Sequence, residues 1–418
     1  MTQLSDDCFA FGGALMSADE ALEILDRRIA PVTGQETVAL SAALHRVLAD
    51  DVVAQASSPP HDNAAVDGYA LRFADLQPDG ESRLTIAGRA AAGHPWRETV
   101  PGGAAVRIFT GAVMPEGLDT VVMQEDVTLD GDTVAVPPGL KPGANRRQAG
   151  EDIAAGDVIL RRGTRLRPQE VALAAAGGMA ELSVYRPVRV GLFSTGDEVR
   201  EPGGGLTPGQ IYDANRYMLC GLLQGLGCAI SDLGILPDRA DAVQEALAQA
   251  AGDHDLLLTS GGVSTGEEDH VKAAVEALGA LHFWRLAIKP GRPLALGHVD
   301  GTAFVGLPGN PVAVMVCFLR FARPIVLRLG GAADLRPSLY KVPAAFAHRK
   351  KPDRREWVRA RLGTDDGGRP AAFKFDRQGS GIISSLVAAD GLVELPEQMT
   401  ELSAGEMVDF LPFSEVLG

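Results

Sequence analysis

The sequence predicts a multidomain α/β protein built around a doubly wound α/β sandwich with a parallel sheet. Strand and helix patterns alternate between residues 188 and 333, which is typical of that fold. Short alternating strands punctuated by Gly and Pro fill residues 54–153, and short strands return over 334–418. The chain has 418 residues, 46% of them hydrophobic, which corresponds to about two to four domains and excludes a largely disordered protein.

A small α/β domain is predicted from two separate pieces, residues 1–53 and 154–187. Its first helix is indicated by a capping box and by apolar residues at helical spacing, namely Ser17, Glu20, Leu22, Leu25 and Ile29. A short strand, a short helix around 42–46 and a second strand follow. In the second piece we expect a strand over 157–160 and a helix over 168–176.

The inserted domain, residues 54–153, is predicted to be rich in β-structure. Its strands are expected at 84–87, 104–109, 120–129 and 133–136. Asp130-Gly131 between the last two is a strong hairpin signal. In the sandwich we expect strands at 189–194, 229–236 and 256–259, and helices at 215–226, 239–251, 267–278 and after Asn310-Pro311. The tail, 334–418, predicts a β-barrel or sandwich with strands at 357–361, 392–395 and 407–411.

The sharpest chemical feature is a glycine-rich turn after the buried strand at 256–259. Gly261 and Gly262 would let backbone N–H groups approach an anion, and Ser260 and Ser264 add hydroxyl donors at a helix N-terminus. The turn suits a phosphate group. A tight βα turn that only needs small residues explains the pattern equally well.

Three carboxylates follow predicted strands of the sandwich: Glu198, Asp238 and Asp269. Ligands of open α/β sheets bind beyond the carboxyl ends of the strands, so these acids would suit Mg²⁺ bridged to phosphates. Ordinary helix capping is the alternative for each of them. Arg285 and Lys289 alternate onto one face of an extended segment and could hold an oxyanion together; solvated edge charges are the alternative.

Other features limit the function. The net charge of −15 disfavours duplex nucleic acid and anionic membranes as the main partner. The four cysteines show no C-x-x-C pair, which indicates reduced thiols and a cytoplasmic location. The most apolar run, 311–329, is interrupted by three arginines and by Pro324, so a membrane span is not expected. Because H-E-x-x-H and G-x-S-x-G are absent, zinc hydrolysis and a serine elbow are disfavoured.

Taken in order, nine segments resemble the molybdopterin molybdenumtransferase family, the MoeA-like enzymes related to the C-terminal domain of gephyrin. The resemblance covers nearly the whole chain. Its segments are Asp62-Asn63 through Asp67-Gly68-Tyr69, Arg107 to Gly111, Val122 to Glu125, Gly150 to Ile153, Phe193 to Glu198, Asp213 to Arg216, Ser260 to Gly266, Lys289 to Gly291, and Gly306 to Pro311. Each segment is weak evidence alone, and the ordered set is specific.

The resemblance implies a sandwich of the molybdopterin-binding type and the last step of molybdenum cofactor assembly. Molybdate would be inserted into adenylylated molybdopterin with Mg²⁺, releasing AMP. It also implies a homodimer whose site lies between the sandwich of one subunit and the inserted domain of the other. The implied catalytic residues are Asp67, Thr110, Asp152, Glu198, Asp238, Asp269 and Lys289. Those implied to bind substrate are Arg147, Ser260, Gly261, Gly262, Ser264, Arg285, Lys289, Pro308 and Pro311, and those implied to handle Mg²⁺ are Asp238, Asp269 and Glu198.

Two further functions stay open at this point. One is a pterin-binding scaffold or delivery protein without turnover, which has no need of the full set of acids. The other is the preceding adenylyltransferase, which would share the sandwich but lack the inserted and C-terminal β domains. A molybdopterin adenylyltransferase and proteins that deliver cofactor to molybdoenzymes are the expected partners. Arg285 and Arg292 replace lysines of related proteins, which changes the geometry offered to an oxyanion.

Overall fold

The computed structural model describes residues 15–237, 239–262, 270–291 and 293–417. In the first half the elements are β1 (Leu15–Met16), α1 (Ala18–Arg28), β2 (Gln35–Ala39), β3 (Val52–Val53), β4 (Asn63–Ala64), β5 (Gly68–Leu71), β6 (Ser82–Ala90), β7 (Ala104–Ile108), β8 (Thr120–Met123), β9 (Thr128–Asp130), β10 (Thr133–Val136), β11 (Arg146–Arg147), β12 (Val158–Leu160), α2 (Pro168–Ala176) and β13 (Glu181–Tyr185). The predicted capping box of α1 and the bounds of α2 are confirmed.

The second half begins with the sandwich and ends with the barrel. Its elements are β14 (Arg189–Thr195), β15 (Val199–Arg200), β16 (Ile211–Tyr212), α3 (Ala214–Gly225), β17 (Ala229–Leu236), α4 (Ala240–Asp253), β18 (Leu256–Ser260), α5 (His270–Leu278), β19 (Gly279–Leu286), β20 (Ile288–Lys289), β21 (Pro293–Val299), β22 (Thr302–Leu307), α6 (Pro311–Cys317), α7 (Arg323–Leu329), β23 (Tyr340–Pro343), β24 (His348–Arg349), β25 (Arg355–Thr364), β26 (Pro370–Lys374), α8 (Ser384–Val387), β27 (Gly391–Leu395), β28 (Glu401–Leu402) and β29 (Met407–Pro412).

The two pieces of the N-terminal domain are joined by strand pairs. β2 pairs with β13 and β3 with β12, both antiparallel, around a small core that includes Leu48, Leu166 and Val184. The sequence placed α1 in this domain as well. In the structure the apolar face of α1, with Leu25 and Ile29, packs in the main core of the sandwich, and β1 pairs with β19. Helical spacing shows that a helix has an apolar face, but it does not show which core covers that face.

The inserted domain contains a six-stranded sheet in the order β8-β5-β7-β6-β10-β9. The hairpin predicted at Asp130-Gly131 is confirmed, because β9 and β10 pair antiparallel and Gly131 has a φ of 60°. The single strand predicted over 120–129 is wrong. A 3-10 turn at Gln124–Asp126 divides it into β8 and β9, which lie at opposite edges of the sheet.

The sandwich has a seven-stranded sheet in the order β1-β19-β21-β22-β18-β14-β17. Helices α3 and α6 cover one face and α4 and α5 the other, as expected for a doubly wound fold. The prediction of a parallel sheet is wrong at one edge, because β21 runs antiparallel to both β19 and β22. The turn between β21 and β22 is Asp300-Gly301, where φ is positive at both residues, so the sequence contained the hairpin signal.

The C-terminal domain is closed into a barrel, as the sequence predicted. Its sheet runs β20-β25-β27-β29-β23 with β26 on the outer side of β25, and an isolated bridge between Ala344 and Ala372 connects the end of β23 to β26. β20 comes from the sandwich segment of the chain, and its Ile288 and Lys289 pair with Arg355 and Glu356 of β25. This pairing joins the two domains beside the carboxyl edge of the sandwich sheet.

A continuous helical stretch, α6 to α7 with a π-helical segment at Phe318–Ala322 between them, runs through the main core. Arg320 and Arg323 are each only 8% exposed within it. In the described part of the chain, we find no helix long and apolar enough to cross a bilayer.

Candidate anion-binding site

A cavity of about 500 Å³ lies between the carboxyl edge of the sandwich sheet and the barrel. On the sandwich side it is formed by three turns, which follow β18, β20 and β22. On the barrel side it is formed by β25 and the loop after β26. Its lining residues are Gly261, Gly262, Lys289, Pro290, Gly291, Leu307, Pro308, Gly309, Asn310, Ala313, Glu356, Trp357, Arg359, Gln378, Gly379 and Ser380.

Arg359 of β25 is the most distinctive residue of this pocket, because its guanidinium is buried and only 1% exposed. Nε donates to Ser385 Oγ at 3.0 Å, and Nη2 donates to the Gly379 and Arg377 carbonyls at 3.0 and 3.4 Å. Burial lowers the pKa of this guanidinium, and the charge of Glu356 acts in the opposite direction. Within the described part of the chain, Nη1 makes no hydrogen bond and no carboxylate pairs with Arg359. A donor is therefore left for a ligand of the pocket.

Lys289 lies opposite, at the end of β20, and its Nζ donates to Glu356 Oε1 at 2.6 Å. Glu356 is 2% exposed, and His348 Nε2 approaches the same carboxylate oxygen at 3.3 Å. Burial alone would raise the pKa of Glu356, but the hydrogen bonds from His348 and Lys289 outweigh it and lower the pKa to about 2. Among the described lining residues, the two cations Lys289 and Arg359 outnumber the anion Glu356, so this part of the lining carries a net positive charge.

The glycine turn after β18 forms the adjoining wall. Gly261 and Gly262 have φ values of 81° and 63°, and a Cβ at Gly262 would collide with Thr195 Oγ1. The turn thus requires glycine for steric reasons. The Gly261 N–H donates to Leu307 O at 3.0 Å, so it is not the free anion donor that the sequence suggested. Ser260 is 6% exposed, and it is not among the described residues that line the cavity.

The turn after β22 is held from two sides. Asn215 Nδ2 donates to Gly309 O at 2.7 Å, and the N–H of Val312 in the first turn of α6 donates to Ser380 O at 3.0 Å. Asn310 occupies the cap position, but no side-chain capping bond forms among the described residues. Pro308 lines the cavity, whereas Pro311 begins α6 and is not one of the described lining residues. These contacts attach the barrel loop to the sandwich.

The predicted residues of the inserted domain form a separate cluster. The N–H and hydroxyl of Thr110 donate to Asp67 Oδ1 at 2.8 and 2.7 Å, and these hydrogen bonds, the backbone one foremost, lower the pKa of Asp67. The Arg107 guanidinium stacks 4.8 Å from the Phe109 ring centre, and that of Arg89 stacks 4.6 Å from it. This cluster is part of the exposed surface of the inserted domain.

Asp152 and Arg147 are exposed in the same domain. The Asp152 N–H donates to Ser58 O at 3.1 Å, and Arg147 lies in β11 opposite Asn63. None of the four predicted residues Asp67, Thr110, Arg147 and Asp152 is among the described residues lining the cavity of their own chain. The structure of one chain therefore gathers Gly261, Gly262, Lys289 and Pro308 but not the inserted-domain group.

The predicted metal ligands are only partly described. Asp238 and Asp269 lie outside the described residues, as do Ser264 and Arg292. Glu198 is exposed on the turn between β14 and β15, close to Gly196. Among the described residues, no group of three or more His, Cys, Asp or Glu side chains could hold a metal ion.

Arg285 departs from its predicted arrangement. The sequence placed Arg285 and Lys289 on one face of a single extended segment. In the structure Arg285 pairs with Leu15 and Pro293 inside the sandwich sheet, while Lys289 pairs with Glu356 in the barrel sheet. The segment changes sheets at Ala287, so the alternation that connected the two cations does not hold across it.

Sequence reasoning missed the barrel side of the pocket, above all Glu356 and Arg359. A signal was present, since the charged residues at 355, 356, 359 and 361 fall on both faces of an extended run that includes the predicted strand at 357–361. Charged side chains on both faces of a barrel strand imply that some of them point inward. Charged side chains are almost never fully buried unless they are paired, so an inward charge on such a strand is a candidate for a binding site.

The fold and pocket define a multidomain α/β protein with a cavity, lined in part by Lys289 and Arg359, at the carboxyl edge of a doubly wound sheet. Family models described as the MoeA N-terminal region (domain I and II), a probable molybdopterin binding domain and the MoeA C-terminal region (domain IV) match residues 16–178, 191–328 and 341–413. The chain belongs to the molybdopterin molybdenumtransferase family of enzymes.

The relatives cover nearly the whole chain. A molybdopterin molybdenumtransferase of Haemophilus influenzae is 39% identical over 406 residues, covering 97% of this chain and 100% of the relative. One of a Nostoc species is 36% identical and covers 89% of this chain and 87% of the relative. The crystal structure of a molybdopterin biosynthesis MoeA protein from Pyrococcus horikoshii has a TM-score of 0.80 at 32% identity, covering 95% of this chain and 99% of that one.

Proposed function

We propose that this chain inserts molybdenum from molybdate into adenylylated molybdopterin, with Mg²⁺ and with release of AMP. The observation that carries the proposal is the buried Arg359, which lines the 500 Å³ pocket with one donor nitrogen unused by the described residues. A buried guanidinium without a carboxylate partner is costly unless an anion completes it. A tetrahedral oxyanion is the ligand that the family name suggests.

Molybdate would sit between Arg359 and Lys289, with Ser380 and the Asn310 and Gln378 amides on the remaining walls. Arg359 would donate from Nη1, and Lys289, which is held by Glu356 and is 43% exposed, would act as a point charge. The same cations would stabilise negative charge that develops when the adenylate leaves. Burial of Arg359 would strengthen its interaction with the anion.

The pterin phosphate would lie along the glycine turn at Gly261 and Gly262, which adjoins the proposed molybdate position between Arg359 and Lys289. Because the Gly261 N–H is engaged by Leu307, the donors for this phosphate would come from Gly262 and from the hydroxyls predicted at Ser260 and Ser264. Catalysis would then depend mainly on holding two reactants side by side in fixed orientation.

The described carboxylates do not by themselves provide a Mg²⁺ site. Glu198 by itself does not make a metal site, and the described carboxylates form no metal-binding group. On the family resemblance, Asp238 and Asp269, which follow β17 and β18 in the sequence, would hold Mg²⁺. When bound, the ion would neutralise phosphate charge.

We also propose a homodimer with a shared site. As the family resemblance implies, Asp67, Thr110 and Asp152 would act on the pocket of a second copy; they are not among the described residues lining the cavity of their own chain. The test is to co-express Asp67→Ala with Asp269→Ala, each expected to be inactive alone. Mixed dimers should recover part of the activity, since one of their two sites keeps both acids. Recovery no greater than that of either variant would contradict a shared site.

The direct experiment is to measure AMP release from adenylylated molybdopterin with and without molybdate and Mg²⁺. We expect release that requires both, and strong loss in Asp238→Asn and Asp269→Asn without loss of the folded dimer. Wild-type activity in either variant would contradict the metal assignment. A wild-type protein that releases no AMP in response to molybdate would contradict the transferase and favour a scaffold.

A further inference from the structure

The carboxylate of Glu356 connects the pocket to a histidine outside it. Lys289 Nζ and His348 Nε2 both contact Glu356 Oε1, at 2.6 and 3.3 Å. His348 lies on β24, is 13% exposed, and is not one of the described residues that line the cavity. One oxygen atom of Glu356 on β25 is thus contacted by a side chain from β20 and by a side chain from β24.

We propose that His348 is a positioning residue that sets the affinity of the pocket for its oxyanion, by controlling through Glu356 how strongly Lys289 attracts the anion. This inference rests on the proposed function and adds the regulation of the same site. Glu356 holds the Lys289 ammonium in place and also cancels its charge. The charge on His348 decides how much of that cancellation remains.

The geometry supports this because the contact survives a change of charge. A neutral imidazole with its proton on Nε2 donates to Glu356 just as an imidazolium does. With neutral His348, Lys289 and Glu356 cancel and Arg359 alone attracts an anion. With protonated His348, the carboxylate is shared between two cations and the surroundings of the anion gain one positive charge.

The charged groups around this carboxylate come from each neighbouring element. Lys289 lies on β20 and Arg359 on β25. Lys350 follows β24, and its Nζ donates to backbone carbonyls such as Arg354 O at 2.7 Å. Arg349, beside His348, pairs with Glu401 at 3.2 Å on the exposed side. His348 is the histidine among them, and histidine is the side chain whose ordinary titration falls near neutral pH.

The expected effect is on affinity. Molybdate binding to the wild-type protein should tighten by about threefold to tenfold as the pH falls from about 8 to about 6, since one added charge acts across a partly buried site. The KM for molybdate should follow this change, while kcat should not. Calorimetry in two buffers of different ionisation enthalpy should show that binding takes up a proton in this range.

Two variants fix the charge in opposite senses. His348→Gln keeps a donor to Glu356 without a charge, and it should bind molybdate with the weak, high-pH affinity at every pH. His348→Lys carries a permanent charge and should bind with the strong, low-pH affinity at every pH. Neither should take up a proton. His94→Gln, which changes an exposed histidine on a turn of the inserted domain, is the matched control and should keep the wild-type pH dependence.

The outcomes separate the two proposals. If the wild-type protein binds no molybdate at any pH, the proposed function is wrong. If it binds molybdate but takes up no proton, or if both His348 variants keep the wild-type pH dependence, the role of His348 is wrong and the proposed function stands. The proton-uptake measurement needs only the wild-type protein, so it decides the question even if a variant does not fold.

Discussion

Replacing Arg359 with glutamine should weaken molybdate binding about 30-fold. The structure leaves one guanidinium nitrogen, Nη1, for the ligand, and a hydrogen bond to a charged group contributes about 1.5–3 kcal/mol. A loss of about 2 kcal/mol corresponds to roughly 30-fold, because about 1.4 kcal/mol is tenfold in affinity. The variant should also lose about 1–3 kcal/mol of stability, since Gly379 O loses a donor. Removing a buried charge offsets part of that loss.

Fluorescence and calorimetry can measure this effect directly. Trp357 lines the pocket next to Arg359 on β25, and its buried indole donates to Glu394 at 2.9 Å, so molybdate binding should change its emission. The control is Arg361→Gln, two residues further along β25, where an exposed guanidinium stacks on Phe373 away from the pocket. The control should bind normally. If a folded Arg359→Gln protein bound molybdate with wild-type affinity, molybdate would not bind at Arg359 in this pocket.

Two further substitutions test the local structure. Gly262→Ala should lower the free energy of unfolding by about 1–3 kcal/mol in urea, because φ is 63° and the new Cβ would collide with Thr195. The control is Gly221→Ala in the middle of α3, where a Cβ meets no neighbour and the protein should not be destabilised. An equal loss of stability in both variants would refute the steric argument. Asp67→Asn should lower the melting temperature at neutral pH, because the hydrogen bonds from Thr110 keep the pKa of Asp67 low in the folded state. A depressed folded pKa gives stability that is present above the ordinary Asp pKa, about 3.9, and is lost as the pH falls further towards the folded value. The difference between wild type and Asp67→Asn should therefore shrink in acid, and a pH-independent difference would contradict the cause given.

Local patterns predicted the elements of this fold better than the partners of those elements. The capping box at Ser17 and the hairpin at Asp130-Gly131 depend on neighbouring residues, so the sequence contains them in full. The destination of α1 depends on which core covers its apolar face, and that is decided by distant residues. The antiparallel β21 was missed because Asp300-Gly301 was not recognised as a hairpin turn.

The site follows the same division. The turn at Gly261 was predicted to border a binding site because ligands of open α/β sheets bind beyond the carboxyl ends of the strands. Pro308 was assigned to the site only through the family resemblance. Arg359 was not predicted, since it comes from another domain and reaches the pocket only through the pairing of β20 with β25. Contacts between domains have no local periodicity from which they could be read.

The pairing of β20 with the barrel has a consequence for protein engineering. The residues that carry Lys289 belong by sequence to the sandwich and by hydrogen bonding to the barrel, and the Arg355 N–H donates to Ala287 O at 2.8 Å beside them. In a chimaera that exchanged only residues after 334 with those of a relative, β25 of the relative would have to pair with β20 of this chain. To preserve this pairing, the exchanged unit has to include residues 287–291 together with β25.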